Sequence, residues 1–351
     1  LNLKTLGITD ELEAQITPSF NLGRVIGLNR TQFTVGTDQG VMQATLAGRL
    51  VNLAFEPEDF PTVGDWVGLR IVDTTAIIER LLPRKSVFLR KVAGRTSSVQ
   101  LVTANVDMLL ICMALDQNFN LRRLERYLAI ANASGSQATI ILTKTDRATD
   151  LDAQRTAVEN IAEGKTVILC NAMTESGIDE LKELLQPRQT YAFIGSSGVG
   201  KSTLINRLLN QEQLITQAVR ENDAHGRHTT TSRDLFELPN GALVIDTPGM
   251  RELGLLDADL DTTFQDILGL AVDCKFRDCT HQHEPGCAVQ KAVNTGTLDA
   301  DRLASFLRLG QEQAENLELR GKAREVAKIN KMFGSKKQMK AVMQKARNKR
   351  R

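Results

Sequence analysis

The apolar positions of this chain change their rhythm at residue 106. Between 20 and 100, short alternations of apolar and polar residues dominate. Gly23-Arg24-Val25-Ile26, Phe33-Thr34-Val35, Val41-Met42 and Trp66-Val67-Gly68-Leu69-Arg70-Ile71 are separated by glycines and polar turns. A period of two marks strands that bury one face. A small closed barrel of about five strands fits this length, with an OB-fold as the leading candidate.

From 106 the apolar runs become solid, beginning with Val106-Asp107-Met108-Leu109-Leu110-Ile111-Cys112. Residues 121–133 then take helical spacing, with Leu121, Leu124, Leu128 and Ala131 on one face. Strands at 138–142, 165–170, 191–194 and 242–245 alternate with helices near 151–163, 178–185 and 201–209. Such alternation predicts a mostly parallel α/β sheet with helices on both faces. Beyond 260 come a cysteine/histidine segment and then helices, at 298–319 and through most of the tail. The expected organisation is multidomain α/β: 1–100 for an N-terminal segment and β-barrel, 101–260 for the parallel sheet. A cysteine/histidine and helical domain at 261–320 and a basic tail at 321–351 would follow.

A hydrophobic fraction of 42% and a charged fraction of 25% are ordinary for a soluble globular protein. No apolar run reaches the length of a membrane span and no signal-peptide pattern opens the chain. The net charge of +2 hides an asymmetry, because 321–351 holds twelve Lys/Arg against the single acid Glu325. Everything before that tail is net acidic. The five cysteines divide into Cys112 and Cys170 inside apolar runs and three clustered at 274–287. A reduced, cytoplasmic protein with one metal site explains this better than disulfides do, and no membrane partner is expected.

The chemistry concentrates in four motifs. Gly195-Ser196-Ser197-Gly198-Val199-Gly200-Lys201-Ser202 is a full phosphate loop between an apolar strand and a helical run that starts with Thr203 in its first turn. Its backbone N–H groups can wrap a β-phosphate, Lys201 can bridge the β- and γ-phosphates, and the Ser202 hydroxyl can take Mg²⁺. Asp246-Thr247-Pro248-Gly249 follows a strand. Asp246 there belongs near Mg²⁺ and the Gly249 N–H on the γ-phosphate. Thr143-Lys144-Thr145-Asp146 also follows a strand, and Asp146 can accept two hydrogen bonds from guanine while the Lys144 stem lies against the base. Adenine offers no matching donors, and a polar site of this kind discriminates by about 10⁴ or more. Asn171-Ala172 stands where GTPases usually carry Ser-Ala, whose backbone reads the guanine O6.

Between phosphate loop and Asp246 lies Gly226-Arg227-His228-Thr229-Thr230-Thr231, a polar stretch suited to a switch. Thr230 is favoured to coordinate Mg²⁺, with its neighbours as competitors. Met250 follows Gly249, where many GTPases use a glutamine to orient water. Slow intrinsic hydrolysis is expected, with His228 as the nearest catalytic candidate. Two other readings stay open: an RNA-binding checkpoint governed by GTP occupancy with little role for hydrolysis, and an ATPase with a fortuitous Thr-Lys-x-Asp.

The base reader precedes the phosphate loop, the reverse of the usual order. With that order, Gly226–Thr231, Asp246–Glu252 and the cysteine cluster, the chain resembles the RsgA (YjeQ) family of circularly permuted, small-ribosomal-subunit-dependent GTPases over nearly its whole length. The resemblance implies an N-terminal OB-fold, a central circularly permuted phosphate-loop GTPase and a C-terminal zinc-binding domain with helices. It also implies late maturation of the small (30S) subunit, with GTP hydrolysis stimulated by that subunit, and a monomer. Cys274, Cys279 and Cys287 with an imidazole make a closed structural zinc set. Spacing alone leaves His281 and His283 equal; the family pattern selects His281. For RNA, Arg84, Lys85, Arg90, Lys91 and Arg95 form an acid-free stretch beside the barrel, and the basic tail suits phosphate contacts.

Overall fold

The structure is a computed structural model that describes residues 2–15, 20–29, 32–91, 99–162, 164–210, 233–246 and 258–333. Five strands form the N-terminal barrel: β1 Asn21–Asn29, β2 Gln32–Thr37, β3 Gly40–Leu46, β4 Trp66–Val72 and β5 Thr75–Leu81. β1 pairs with β2 and β2 with β3 antiparallel, β3 with β5 parallel, and β5 with β4 antiparallel. β4 then returns antiparallel to β1 and closes the barrel. The order 1-2-3-5-4-1, with helix α2 (Gly48–Leu53) between β3 and β4, is that of an OB-fold. Bulges at Val25/Gly27 and Gly68/Leu69 let β1 and β4 coil tightly enough to close it. Val25, Val35, Val67, Leu69 and Ile78 fill the interior, and Leu3 and Leu6, ahead of α1 (Asp10–Glu13), are buried in the same core.

A hairpin of β6 (Val87–Lys91) and β7 (Val99–Ala104) leads into the second sheet. Its strands β8 (Met108–Ala114), β9 (Gln137–Thr143), β10 (Val167–Cys170), β11 (Thr190–Ile194) and β13 (Leu243–Asp246) are parallel, in the order β10-β9-β8-β11-β13. The solid apolar runs follow from burial on both faces. Leu109, Ile111, Ile140, Leu142 and Ile194 pack with Leu124, Leu128 and Val158 of α3 (Leu121–Ser134) and α4 (Leu151–Ile161). Their neighbours Leu110, Cys112, Ile141 and Phe193 pack with Leu181, Leu204 and Leu208 of α5 (Ile178–Leu184) and α6 (Lys201–Leu209). Asn120 caps α3 by accepting from the Arg123 N–H, and Asp150 caps α4 in the same way through Ala153.

β12 (Arg233–Glu237) pairs antiparallel with β13 on one side and with barrel strand β1 on the other, at Gly27↔Asp234 and Leu28↔Arg233. Barrel and parallel sheet are thus one eleven-stranded sheet. Arg24 of β1 adds a second tie. Its guanidinium is fully buried and donates to the carbonyls of Leu6 (2.6 Å), Gly64 (3.2 Å) and Asn105 (3.3 Å) and to the Thr190 hydroxyl (2.8 Å).

The C-terminal part comprises α7 (Leu260–Thr263), α8 (Gln265–Ala271), α9 (Ala288–Asn294) and the long α10 (Ala300–Phe333). It docks on α3. Arg302 pairs with Asp266 and with the buried Glu125 (3.0 Å) and stacks over Phe264. Arg126 meets Glu312 at 2.8 Å. Farther along α10, Arg320 pairs with Glu58 and with Glu56 (3.7 Å), beside the barrel. The sequence limits expected at 100 and 320 fall inside β7 and α10.

Arg84 and Lys85, read from sequence as part of an RNA-facing edge, are engaged in the fold. Arg84 makes a bidentate pair with buried Asp65, both bonds at 2.7 Å, and donates to the Glu58 and Phe60 carbonyls. Lys85 pairs with Asp107. The acid-free stretch found its acids elsewhere in the chain. Arg90 bonds Gln100 at 2.7 Å, and Arg95 lies outside the described residues.

Candidate nucleotide site and metal centre

Parallel strands send their carboxyl ends to one edge, where open α/β sheets bind ligands. Thr143 ends β9, Cys170 ends β10, Ile194 ends β11 and Asp246 ends β13. The motifs separated in sequence therefore meet at one edge, and β8, between β9 and β11, sits under their centre.

The loop after β11 has the backbone its glycines permit. Gly195 has φ 150°, Gly198 76° and Gly200 99°. A Cβ on Gly195 would collide with the Cys112 carbonyl oxygen, so only glycine fits there. A Cβ on Gly200 would meet open space, the kind of cradle an anion fills. Gly200 also starts α6 without a side-chain cap, and the first turn carries no acid, so its amides and positive end face that space. Lys201 Nζ donates to the Gly195 (2.6 Å) and Ser196 (2.7 Å) carbonyls, which folds its charge back over the loop. Ser197 and Val199 lie in this loop, and Ser202 and Thr203 in the first turn of α6.

The base-reader loop is joined to it. The buried Thr143 hydroxyl donates to the Val199 carbonyl at 2.6 Å. Lys144 takes a left-handed backbone, φ 56°, and Thr145–Arg147 forms a single 3₁₀ turn that carries Asp146. Asp146 Oδ1 accepts from Asn171 Nδ2 at 2.7 Å. Asn171 Oδ1 in turn accepts from the Met173 (2.9 Å) and Thr174 (3.4 Å) N–H groups, and Arg207 donates to the Ala172 carbonyl at 3.1 Å. Asn171 thus braces the carboxylate while its own loop is tied down.

Two participants escaped the sequence reading. Asp116, just past β8, pairs with Lys144 Nζ at 2.8 Å. Burial works against its charge, but the Lys144 hydrogen bond and the Asn118 N–H outweigh it and hold the carboxyl below its usual range. An acid at a strand's carboxyl end was the available signal. Tyr127 of α3 is buried close to Ser196 of the phosphate loop, which offsets part of the upward push that burial gives its phenol. Cys112 lies below the loop, its thiol pushed up to about 12 by burial, and is inert packing. His228, Thr230, Gly249 and Met250 lie outside the described residues.

The second centre gathers Cys274, Cys279, His281 and Cys287, whose ligand atoms all lie within 4.8 Å of one another. Zinc bonds of 2.0–2.3 Å in a tetrahedron require donor–donor edges of roughly 3.5–3.8 Å. The separations are 3.5 Å for Cys287 Sγ–His281 Nδ1, 3.7 Å for Cys274 Sγ–His281 Nδ1 and 3.9 Å for Cys274 Sγ–Cys287 Sγ. A set this close fits a tetrahedral cation. Left-handed φ at His281 (61°) turns its ring inward, and Gln290 fixes its carbonyl at 2.6 Å. Cys287 caps α9, accepting from the Gln290 N–H. Burial, with Cys287 and Cys274 adjacent, pushes the Cys279 thiol up to about 11, while hydrogen bonds from the Ala288 and Val289 backbone and the neighbouring thiols outweigh burial and hold the Cys274 thiol below its usual value. His283 is not in the set.

The fold is that of a circularly permuted GTPase. The crystal structure of YloQ, described as a circularly permuted GTPase, shares the fold with a TM-score of 0.56 at 24% identity, over 86% of this chain and 97% of that one. YjeQ from Thermotoga maritima superposes with a TM-score of 0.59 at 26% identity, over 84% of this chain and 98% of its own. Residues 81–256 match the RsgA GTPase family. The small ribosomal subunit biogenesis GTPase RsgA 2 of Lactiplantibacillus plantarum is 48% identical over 347 residues, 98% of each chain. This protein belongs to the RsgA GTPase family, whose members hydrolyse GTP.

Proposed function

We propose that this protein hydrolyses GTP on the small ribosomal subunit, late in the assembly of that subunit, and leaves it after hydrolysis. The observation that carries the reading is end-to-end likeness, 48% identity over 98% of both chains, to a small ribosomal subunit biogenesis GTPase. The nucleotide edge supports it residue by residue. The amides of Gly195–Ser202 and the Lys201 ammonium receive the phosphates. Asp146, braced by Asn171, accepts from guanine N1–H and the exocyclic amine, with the Ala172 N–H on O6 and the Lys144 stem against the ring. Ser202 and Thr230 would hold Mg²⁺, with Asp246 and Gly249 near the γ-phosphate. The metal would neutralise phosphate charge. Cys274, Cys279, His281 and Cys287 would hold one structural zinc ion.

The twelve positive charges of 321–351 suit rRNA phosphates, with affinity that falls steeply with salt. α10 runs on into the start of that tail, one residue after Arg320 pairs with Glu58 and Glu56. No described helix is long and apolar enough to cross a membrane. We place the protein in the cytoplasm as a monomer. Phosphate release is measured with and without purified small subunits. Strong stimulation is expected, and its absence with intact GTP binding refutes the reading. Met250 favours a second reading, in which occupancy rather than hydrolysis signals completion. Under it, His228→Ala would bind GTP and still leave the subunit at the normal rate.

A further inference from the structure

Lys144 and Asp116 form an ion pair at the centre of the nucleotide edge, and no motif of the sequence accounts for Asp116. The pair is built from two loops. Asp116 follows β8 and Lys144 follows β9, and the Leu115 N–H donates to the Thr143 carbonyl at 2.9 Å, which joins the loops at their base. Both carboxylate oxygens are used: Oδ2 by Lys144 Nζ (2.8 Å) and Oδ1 by the Asn118 N–H (2.8 Å). The Asp116 carbonyl accepts from the Phe119 N–H at 2.8 Å, and Arg123 donates to the Asn118 carbonyl at 3.5 Å, so the loop that holds the acid is itself tied down. The acid is 12% and the lysine 27% exposed, so the pair is sheltered rather than solvated.

A lone carboxylate is out of place here. It stands between the base-reader loop and a loop shaped for polyphosphate, and would repel that ligand. Paired, its charge is neutralised. The lysine gains equally. Its four-carbon stem would otherwise sample many rotamers, and its ammonium would be drawn to the phosphates nearby. Anchored at both ends, by the left-handed backbone at Lys144 and by Asp116, the stem becomes a fixed apolar rod.

We infer that Asp116 is a positioning residue of the guanine site, which tethers the Lys144 ammonium so that its stem is preorganised against the base. This rests on the reading of Thr143–Asp146 as the guanine reader. Binding then avoids ordering a long side chain, a saving of about tenfold in affinity.

The test uses the full-length protein with Asp116→Asn, a change of nearly equal volume, measured by fluorescent-GDP titration and by steady-state hydrolysis with small subunits. Kd for GDP and KM for GTP should rise about tenfold with kcat unchanged. Asp116→Glu, which can still reach the ammonium, should recover most of the loss. Introduced into Lys144→Ala, Asp116→Asn should add nothing further, because the tether then has nothing to hold. A Kd within twofold of the parent overturns the inference. So does a loss that multiplies with that of Lys144→Ala, or a fall in kcat at constant KM, which a loosened phosphate loop would give. Asp146→Asn is run alongside. If it leaves guanine affinity intact, the base reader itself is wrong; if it weakens binding and Asp116→Asn does not, only the tether fails.

Discussion

Arg24→Met removes the tie between barrel, N-terminal segment and GTPase sheet while nearly conserving volume. Four donor bonds disappear: to the carbonyls of Leu6, Gly64 and Asn105 and to the Thr190 hydroxyl. The cation over Trp66, 5.3 Å from the ring centre, goes with them. Hydrogen bonds from a charged donor contribute about 1.5–3 kcal/mol each, but the variant is also relieved of burying a charge. That relief is real: burial pulls the Arg24 pKa down to about 10, against the charges of Asp107 and Asp65. Some acceptors keep partners, since the Gly64 carbonyl also takes the Asn105 amide at 3.1 Å. The Leu6 carbonyl, at 2.6 Å the shortest of the four, loses its donor in a buried setting. A net loss of about 4 kcal/mol follows, typical of a broken buried network. At roughly 2 °C per kcal/mol for a large chain, Tm falls by about 8 °C. Differential scanning calorimetry reads this directly, and hydrogen exchange should show the extra opening at residues 3–8 and 62–66 before the core of β8 and β11. Arg24→Lys should recover little, because a point charge cannot reach acceptors arranged around a planar fork. A Tm within 2 °C of the parent for Arg24→Met would show that the tie is dispensable and sink the reasoning.

Gly195→Ala should abolish measurable GTP binding and cost roughly 2–3 kcal/mol, since φ 150° and the Cys112 carbonyl leave no room for a methyl group; equilibrium unfolding and nucleotide titration check both. Cys279→Ser should lower zinc, measured by atomic emission, from one per chain towards none, and loosen residues 272–290 in hydrogen exchange while GDP affinity stays within about twofold. Unchanged zinc content would remove Cys279 from the ligand set. Arg320→Glu should raise exchange at residues 55–60 by opposing Glu56 and Glu58, with a stability change of only about 1 kcal/mol that shrinks in high salt.

What could be read in advance divides by the range of the interaction. The phosphate loop was legible because backbone geometry at Gly195 and Gly200 admits one residue type at fixed spacing. The strands β8, β9 and β11 were legible because burial on both faces leaves solid apolar runs. β12 was not, since its Arg-Asp-Leu-Phe-Glu carries charges at both ends and takes its partner from a barrel strand far away in sequence. Arg84 looked like an exposed cation until Asp65, nineteen residues earlier, turned out to hold it by both oxygens. Asn171 looked like a departure from the usual serine. Its amide reaches Asp146, a contact that no local pattern predicts. Arg24 sat in an alternating strand and gave no hint that its charge would be wholly enclosed.

The pairing of β1 with β12 has a consequence for solubility. Without it, β12 would be the outer strand of the GTPase sheet and present a row of unpaired amides and carbonyls, a template for joining another copy. At the opposite border β10 is only four residues long, which limits what can zip onto it. The barrel therefore covers β12 at Arg233 and Asp234, where it pairs with β1. A fragment cut free of its barrel would gain a sticky flank, and its tendency to associate would measure how much that pairing suppresses edge-to-edge contact.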